Sequence, residues 1–152
     1  MMNRLLYKLT LCSLIFLAGC GQTEKQQGLF VVNVLDADHF NDCHIKGSIN
    51  ITLDQLDDFA KKLDKEKAEV VFYCSNYMCT ASGFAAKKLK DMGFAHVWAY
   101  EAGIADWYQK GLPVEGACKK SYLTKQINHE ELDQSNDISI ISTEDLASKL
   151  HL

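Results

Sequence analysis

Cys74 and Cys79 are the side chains of this sequence best placed to do chemistry. Cys74 closes the apolar run Val70-Val71-Phe72-Tyr73, and Ser75-Asn76-Tyr77-Met78, Cys79 and Thr80 follow before Ala81 and Ser82 open a helical pattern. In a strand, cysteine, turn and helix succession, loop amides and the positive end of a helix dipole face the sulfur. Both favour the thiolate, the form of cysteine that acts as a nucleophile. The backbone N–H groups of Ser75, Asn76, Tyr77, Met78 and Thr80 are the expected anion cradle. Cys79 has three open roles: a candidate resolving thiol for Cys74, a passive wall of the pocket, or the nucleophile itself if the helix begins later. Against these stands the plain reading of Cys74 as a buried core cysteine. Ser82 reads as a first-turn helix residue. His44 has the chemistry of a general base but sits in a turn that reads as structural.

These residues need a scaffold, and the flanking sequence supplies one. Leu29 to Leu35 is an apolar run interrupted only by Asn33, as in a strand buried on both faces. Asp36 to Asp42 suggests a short helical turn, and Ile49 to Ile51 a second short strand. Thr52 with Gln55 forms a capping-box pattern for a helix reaching about Leu63, its inward face Leu53, Leu56, Phe59, Ala60 and Leu63. Lys61 to Glu69 reads as a solvated helix end and turn. Beyond the Glu69 to Cys74 strand, Thr80 to Met92 is an expected helix with Ala81, Phe84, Ala85, Leu89 and Met92 inward and Gly93 as its stop. Phe94 to Tyr100 is another strand, and Gly103 and Gly111 bracket a short helix bearing Ile104 and Trp107, with Trp107 in the core. Alternation at this spacing predicts a single α/β domain with a mostly parallel central sheet flanked by helices. Cys118 to Asn136 is patternless and reads as a loop. Asp137 to Ile141 suggests a small strand, and Ser142 caps a last helix carrying Leu146 and Leu150.

The first residues carry a different signal. Arg4 and Lys8 precede an apolar core, Leu9 to Ala18, which is too short for a bilayer span and suits a signal peptide. It ends on Leu17-Ala18-Gly19-Cys20, similar to a bacterial lipobox, which implies cleavage before Cys20 and lipidation of its thiol. The expected organisation is a leader over 1–19, a polar tether over 20–28, a domain over 29–115 and an extension over 116–152. The expected location is the extracytoplasmic side of a bacterial membrane. Of 16 Lys plus Arg in the full chain, Arg4 and Lys8 leave with the leader, against 20 Asp plus Glu. Arg4 is the sole arginine, so the remaining acidic chain is unsuited to nucleic acid or to bidentate phosphate recognition. Cys43, Cys74, Cys79 and Cys118 remain outside the leader, and four thiols allow three full pairings among which spacing does not choose.

Taken in order, these segments resemble the rhodanese-like (sulfurtransferase) domain. The resemblance rests on Val32-Asn33-Val34-Leu35, on His44-Ile45-Lys46-Gly47-Ser48-Ile49, and on Phe72-Tyr73-Cys74. It continues through Ala85-Ala86-Lys87-Lys88-Leu89 to Gly93, Ala102-Gly103-Ile104-Ala105-Asp106-Trp107, and Gly111-Leu112-Pro113-Val114. Asn33 and Leu35 replace the usual acidic and Arg residues of the family's triplet, Lys46 replaces Pro, and the loop after Cys74 is longer and holds Cys79. A related phosphatase branch closes its loop with an Arg that this chain lacks, which argues against phosphatase chemistry. The family's opening Ile-Ser-x-x-Glu-Leu element is missing before the first strand, yet Ile141-Ser142-Thr143-Glu144-Asp145-Leu146 looks like it, as if the order were permuted. A loosely attached tail is the other reading of that extension.

The resemblance implies transfer of sulfane sulfur. Cys74 takes sulfur from a small donor such as thiosulfate or a polysulfide, becomes a persulfide, and yields it to cyanide or another thiol, with no cofactor and no metal. Two other classes compete. One is a catalytically silent rhodanese-like binding module. The other is a redox or metal-binding envelope protein built on Cys74, Cys79, Cys43 and His44, whose spacing matches no standard metal motif.

Overall fold

The computed structural model describes residues 24–127 and 137–152; the expected leader and the Cys20 lipidation site lie outside them. In chain order the elements are β1 (Gln26–Asn33), α1 (Ala37–Asp42), β2 (His44–Ile45), β3 (Ile49–Asn50), α2 (Leu56–Lys62) and β4 (Leu63–Tyr73). They continue with α3 (Ala81–Asp91), β5 (His96–Tyr100), α4 (Gly103–Gln109), β6 (Val114–Glu115) and α5 (Thr143–Lys149). A four-stranded sheet runs β3-β1-β4-β5, and every neighbouring pair in it is parallel. A small antiparallel pair, β2 with β6, stands apart. The α/β architecture with a mostly parallel sheet is thus the one the alternating sequence predicts.

Side chains alternate across a strand, so each central strand feeds both faces of the sheet. Val32, Val70 and Phe72 point into a core shared with Leu56, Phe59, Ala85 and Leu89 of α2 and α3. Val31, Val71 and Tyr73 point the other way, onto Ile104 and Trp107 of α4 and onto Leu123, Ile141 and Leu146. Burial on both faces explains why the Val70 to Cys74 run is unbroken by polar residues.

Three expectations need correction. β4 starts at Leu63, well before Glu69, because Gln26 pairs with Leu63 and a register shift between Gln26 and Gly28 absorbs the charged stretch. Inside that stretch the Asp64 carboxylate accepts from the N–H groups of Glu66 and Lys67 at 3.0 and 3.2 Å. For the same reason Gln26 to Gly28 are strand rather than tether. In α3 the buried stripe is Ser82, Ala85, Ala86 and Leu89, spaced i, i+3, i+4, i+7, which turns Phe84 outward at 60% exposure.

For the extension, the fold-back reading holds and the loose tail does not. Leu123, in a 3-10 turn, and Leu146 are fully buried, and Ile141 and Thr143 nearly so, so the described part of 116–152 belongs to the core. Ile140 makes a parallel bridge to Ala99: the Ala99 N–H donates to the Ser139 carbonyl at 2.9 Å and the Ile141 N–H to the Ala99 carbonyl at 3.0 Å. The free edge of β5 is thereby covered by chain from the C-terminal side. Thr143 then hydrogen-bonds Tyr100 at 2.9 Å and Asp106, and Ser142 caps α5 through the Asp145 N–H at 3.0 Å.

Candidate active site

Cys74 is the residue after β4, at the carboxyl end of a central parallel strand, where α/β sheets place their sites. The loop it opens is held from beneath by α4. The N–H groups of Ile104 and Ala105 donate to the carbonyls of Cys74 and Ser75, both at 3.0 Å. That approach demands glycine at position 103. Gly103 has φ +64°, and a Cβ there would lie 2.7 Å from the Cys74 carbonyl oxygen and 2.8 Å from the Asn76 nitrogen. Asn76, nearly buried, sets the turn. Its side-chain oxygen accepts from the Met78 N–H at 3.0 Å and its carbonyl from the Cys79 N–H at 2.9 Å. The chain therefore folds back, and Cys79 returns to Cys74.

The two thiols are free, hydrogen-bonded to each other, and unequal. Cys74 is wholly buried; Cys79 is half-buried. The Cys74 sulfur donates to the Cys79 carbonyl at 3.0 Å and has the Ser82 hydroxyl at 3.4 Å and the Asn76 carbonyl at 3.9 Å. Its hydrogen bond to Cys79 and then its burial push the Cys74 thiol well up, against the opposing Ser82 hydroxyl and amide. Cys79 moves the other way. The hydrogen bond from Cys74, helped by the N–H groups of Ala81 and Ser75 and by the Ser75 hydroxyl, brings it down to about 5 despite partial burial. Cys79 is thus the more acidic of the two thiols. The Cys79 and Asn76 carbonyls and the Ser82 hydroxyl face the Cys74 sulfur, while the Met78 and Cys79 N–H groups are taken up by Asn76.

The other candidate residues are dispersed around this pair. Met78 and Thr80 are exposed, while Tyr77 lies half-buried beside a cavity of about 110 Å³ lined also by Asn76, Asp106, Gln109 and Lys125. Ser82, read as a mere first-turn residue, is fully buried against the Cys74 sulfur. Its three-residue spacing from Cys79 was the signal. His44 is structural, its Nδ1 on the Phe40 carbonyl at 2.8 Å and its ring stacked on Phe40. Cys43 is bonded to Cys118, so it is unavailable to a metal, and among the described residues no group of three or more His, Cys, Asp or Glu is arranged to hold one.

Comparison with known proteins identifies the family. The family described as the rhodanese-like domain matches residues 21–110. A thiosulfate sulfurtransferase GlpE of Pseudomonas savastanoi is 34% identical over 86 residues, covering 57% of this chain and 78% of the relative. Its counterpart in Coxiella burnetii is 29% identical over 83 residues, 55% of this chain and 75% of the relative. Among solved structures, a Bacillus halodurans protein superposes with a TM-score of 0.54 at 33% identity, covering 60% of this chain and 66% of that one.

Proposed function

The chain belongs to the rhodanese-like domain family, and from that membership we propose that it is a sulfurtransferase working through a persulfide on Cys74. The observation that carries the reading is the free, buried Cys74 at the strand end, its sulfur against the Ser82 hydroxyl at 3.4 Å and the returning loop at Cys79. The step begins as Cys79 accepts the Cys74 proton while the Cys74 sulfur attacks the outer sulfur of a donor such as thiosulfate. A Cys74 S–S bond forms and sulfite leaves with the electron pair of the broken bond. The Ser82 hydroxyl and amide, which already favour negative charge at Cys74, then steady the persulfide anion without arginine. A thiol or cyanide removes the outer sulfur. No cofactor takes part.

A second order of events draws on one observation, the greater exposure and acidity of Cys79, which suits it to meet the donor first. A thiosulfate:cyanide assay on wild type, Cys74→Ser and Cys79→Ser separates these readings. Loss of turnover in Cys74→Ser, with a sulfur adduct mapped to Cys74, supports the first. An adduct on Cys79 supports the second, and a wild type without turnover would leave a silent binding module.

The location proposed is the cell envelope, with Cys20 lipidated and the chain tethered outside the cytoplasm. The Cys43–Cys118 disulfide supports it, since such bonds persist in oxidising compartments. Incorporation of labelled palmitate, lost in Cys20→Ala, is the expected result. An unlabelled wild type would remove the anchor.

A further inference from the structure

Resting on the persulfide reading above, we propose that Cys79 resolves the Cys74 persulfide within the same molecule, so that the pair reduces sulfane sulfur to hydrosulfide and is left as a Cys74–Cys79 disulfide. The chemistry balances. After the first step Cys74 carries an outer sulfur with a negative charge and Cys79 holds the proton it received. The Cys79 sulfur attacks the inner sulfur of Cys74, a new bond joins the two cysteine sulfurs, and the outer sulfur departs with the proton as hydrosulfide. Two thiols have been oxidised to a disulfide, and the transferred sulfur has been reduced. An external dithiol reductant then restores the pair by exchange.

Three features of the molecule support this role. The loop geometry brings residue 79 back onto Cys74, through the paired Asn76 contacts to Met78 and Cys79, with the Cys74 sulfur 3.0 Å from the Cys79 carbonyl and both thiols free. A thiol already in contact outcompetes one that must diffuse in. The hydrogen-bond partners of the Cys74 sulfur are neutral, the Cys79 and Asn76 carbonyls and the Ser82 hydroxyl, and none is a cation to hold a persulfide for long storage. Finally, the remaining two cysteines of the described residues are already joined to each other, which leaves Cys79 as the one partner thiol there.

The test uses the reduced full chain without air, one equivalent of thiosulfate, whose leaving group is sulfite rather than hydrosulfide, and no acceptor. Tryptic cleavage yields a peptide from Ala68 to Lys87 that holds both cysteines. For wild type the expected result is hydrosulfide in solution, stoichiometric with protein, and this peptide lighter by two hydrogens. For Cys79→Ser, given time for the slower uptake without the Cys79 base, it is no hydrosulfide and a peptide heavier by one sulfur. Wild type that keeps the extra sulfur and releases nothing overturns the resolving role while leaving the persulfide intact. Wild type that gains no sulfur, releases no hydrosulfide and keeps both thiols overturns the persulfide reading itself, and with it this one.

Discussion

The described residues hold two cysteine pairs, and the fold treats them oppositely. Cys43 and Cys118 lie 75 residues apart in sequence and are bonded, with Cα atoms 4.6 Å apart. Everything around them fixes the backbone. The Cys118 N–H donates to the Asp42 carbonyl at 2.7 Å, the Asp42 carboxylate accepts from the N–H groups of Lys119 and Lys120, and a Cβ on Gly116 would collide with the Asp42 oxygen at 2.3 Å. Cys74 and Cys79 are near in sequence and stay free, in a loop anchored on the sheet end that sets the Cys79 carbonyl 3.0 Å from the Cys74 sulfur. One pair is a fixed closure of a long loop. The other is held in contact with its chemistry still to spend.

The largest expected contrast is functional. Cys74→Ala should cut sulfur transfer at least about a thousandfold, as removal of a nucleophile does, while shifting the urea midpoint little. The converse belongs to the other pair. Replacing Cys43 and Cys118 together by Ala should lower unfolding free energy by about 4 kcal/mol, from the chain entropy of a loop this long, with sulfur transfer per folded molecule unchanged. Urea titrations beside a thiosulfate:cyanide assay measure both. Loss of transfer in the Cys43, Cys118 variant would dissolve the distinction.

A middling effect is expected at the support of the reactive loop. Gly103→Ala places a Cβ against the Cys74 carbonyl at a left-handed φ, and should cost at least about 2 kcal/mol. Because that collision falls on Cys74 to Asn76, transfer should drop by more than the fraction unfolded. A variant that loses stability alone would show that the loop tolerates the displacement.

Much of this was legible from residue types. The double-sided burial of Val70 to Cys74, the Thr52 with Gln55 cap (the Thr52 N–H on Gln55 Oε1 at 3.1 Å), the Gly93 stop and the buried Trp107 all follow from local pattern. What escaped depends on distant partners. β4 begins at Leu63 because Gln26 lies alongside, and no property of Asp64 to Lys67 announces that pairing. Cys43 meets Cys118 through Asp42, which chain spacing does not encode. The charge distribution at the site escaped for a subtler reason. Strand, cysteine and helix predict amides near a sulfur, but the returning loop decides which sulfur, and its turn at Asn76 presents carbonyls to Cys74 and amides to Cys79.

The finest effect tests that last point. With Cys79 brought down to about 5 by its hydrogen bond from Cys74 and by the Ala81 and Ser75 amides, its thiolate is fully formed at neutral pH and is lost as pH falls through 5. The rate of iodoacetamide labelling of Cys79, corrected for quenching and followed in the Ala68 to Lys87 peptide, should therefore be flat above about pH 6 and fall about tenfold per pH unit once well below the midpoint. In Cys74→Ala the largest cause of the lowering is gone, so the midpoint should rise toward the ordinary thiol range. Cys43 and Cys118, being bonded, have no such titration, and their replacement should leave the Cys79 midpoint where it was. A midpoint indifferent to Cys74 would mean that the amides alone set the acidity of Cys79, and that the two thiols are neighbours rather than a proton-sharing pair.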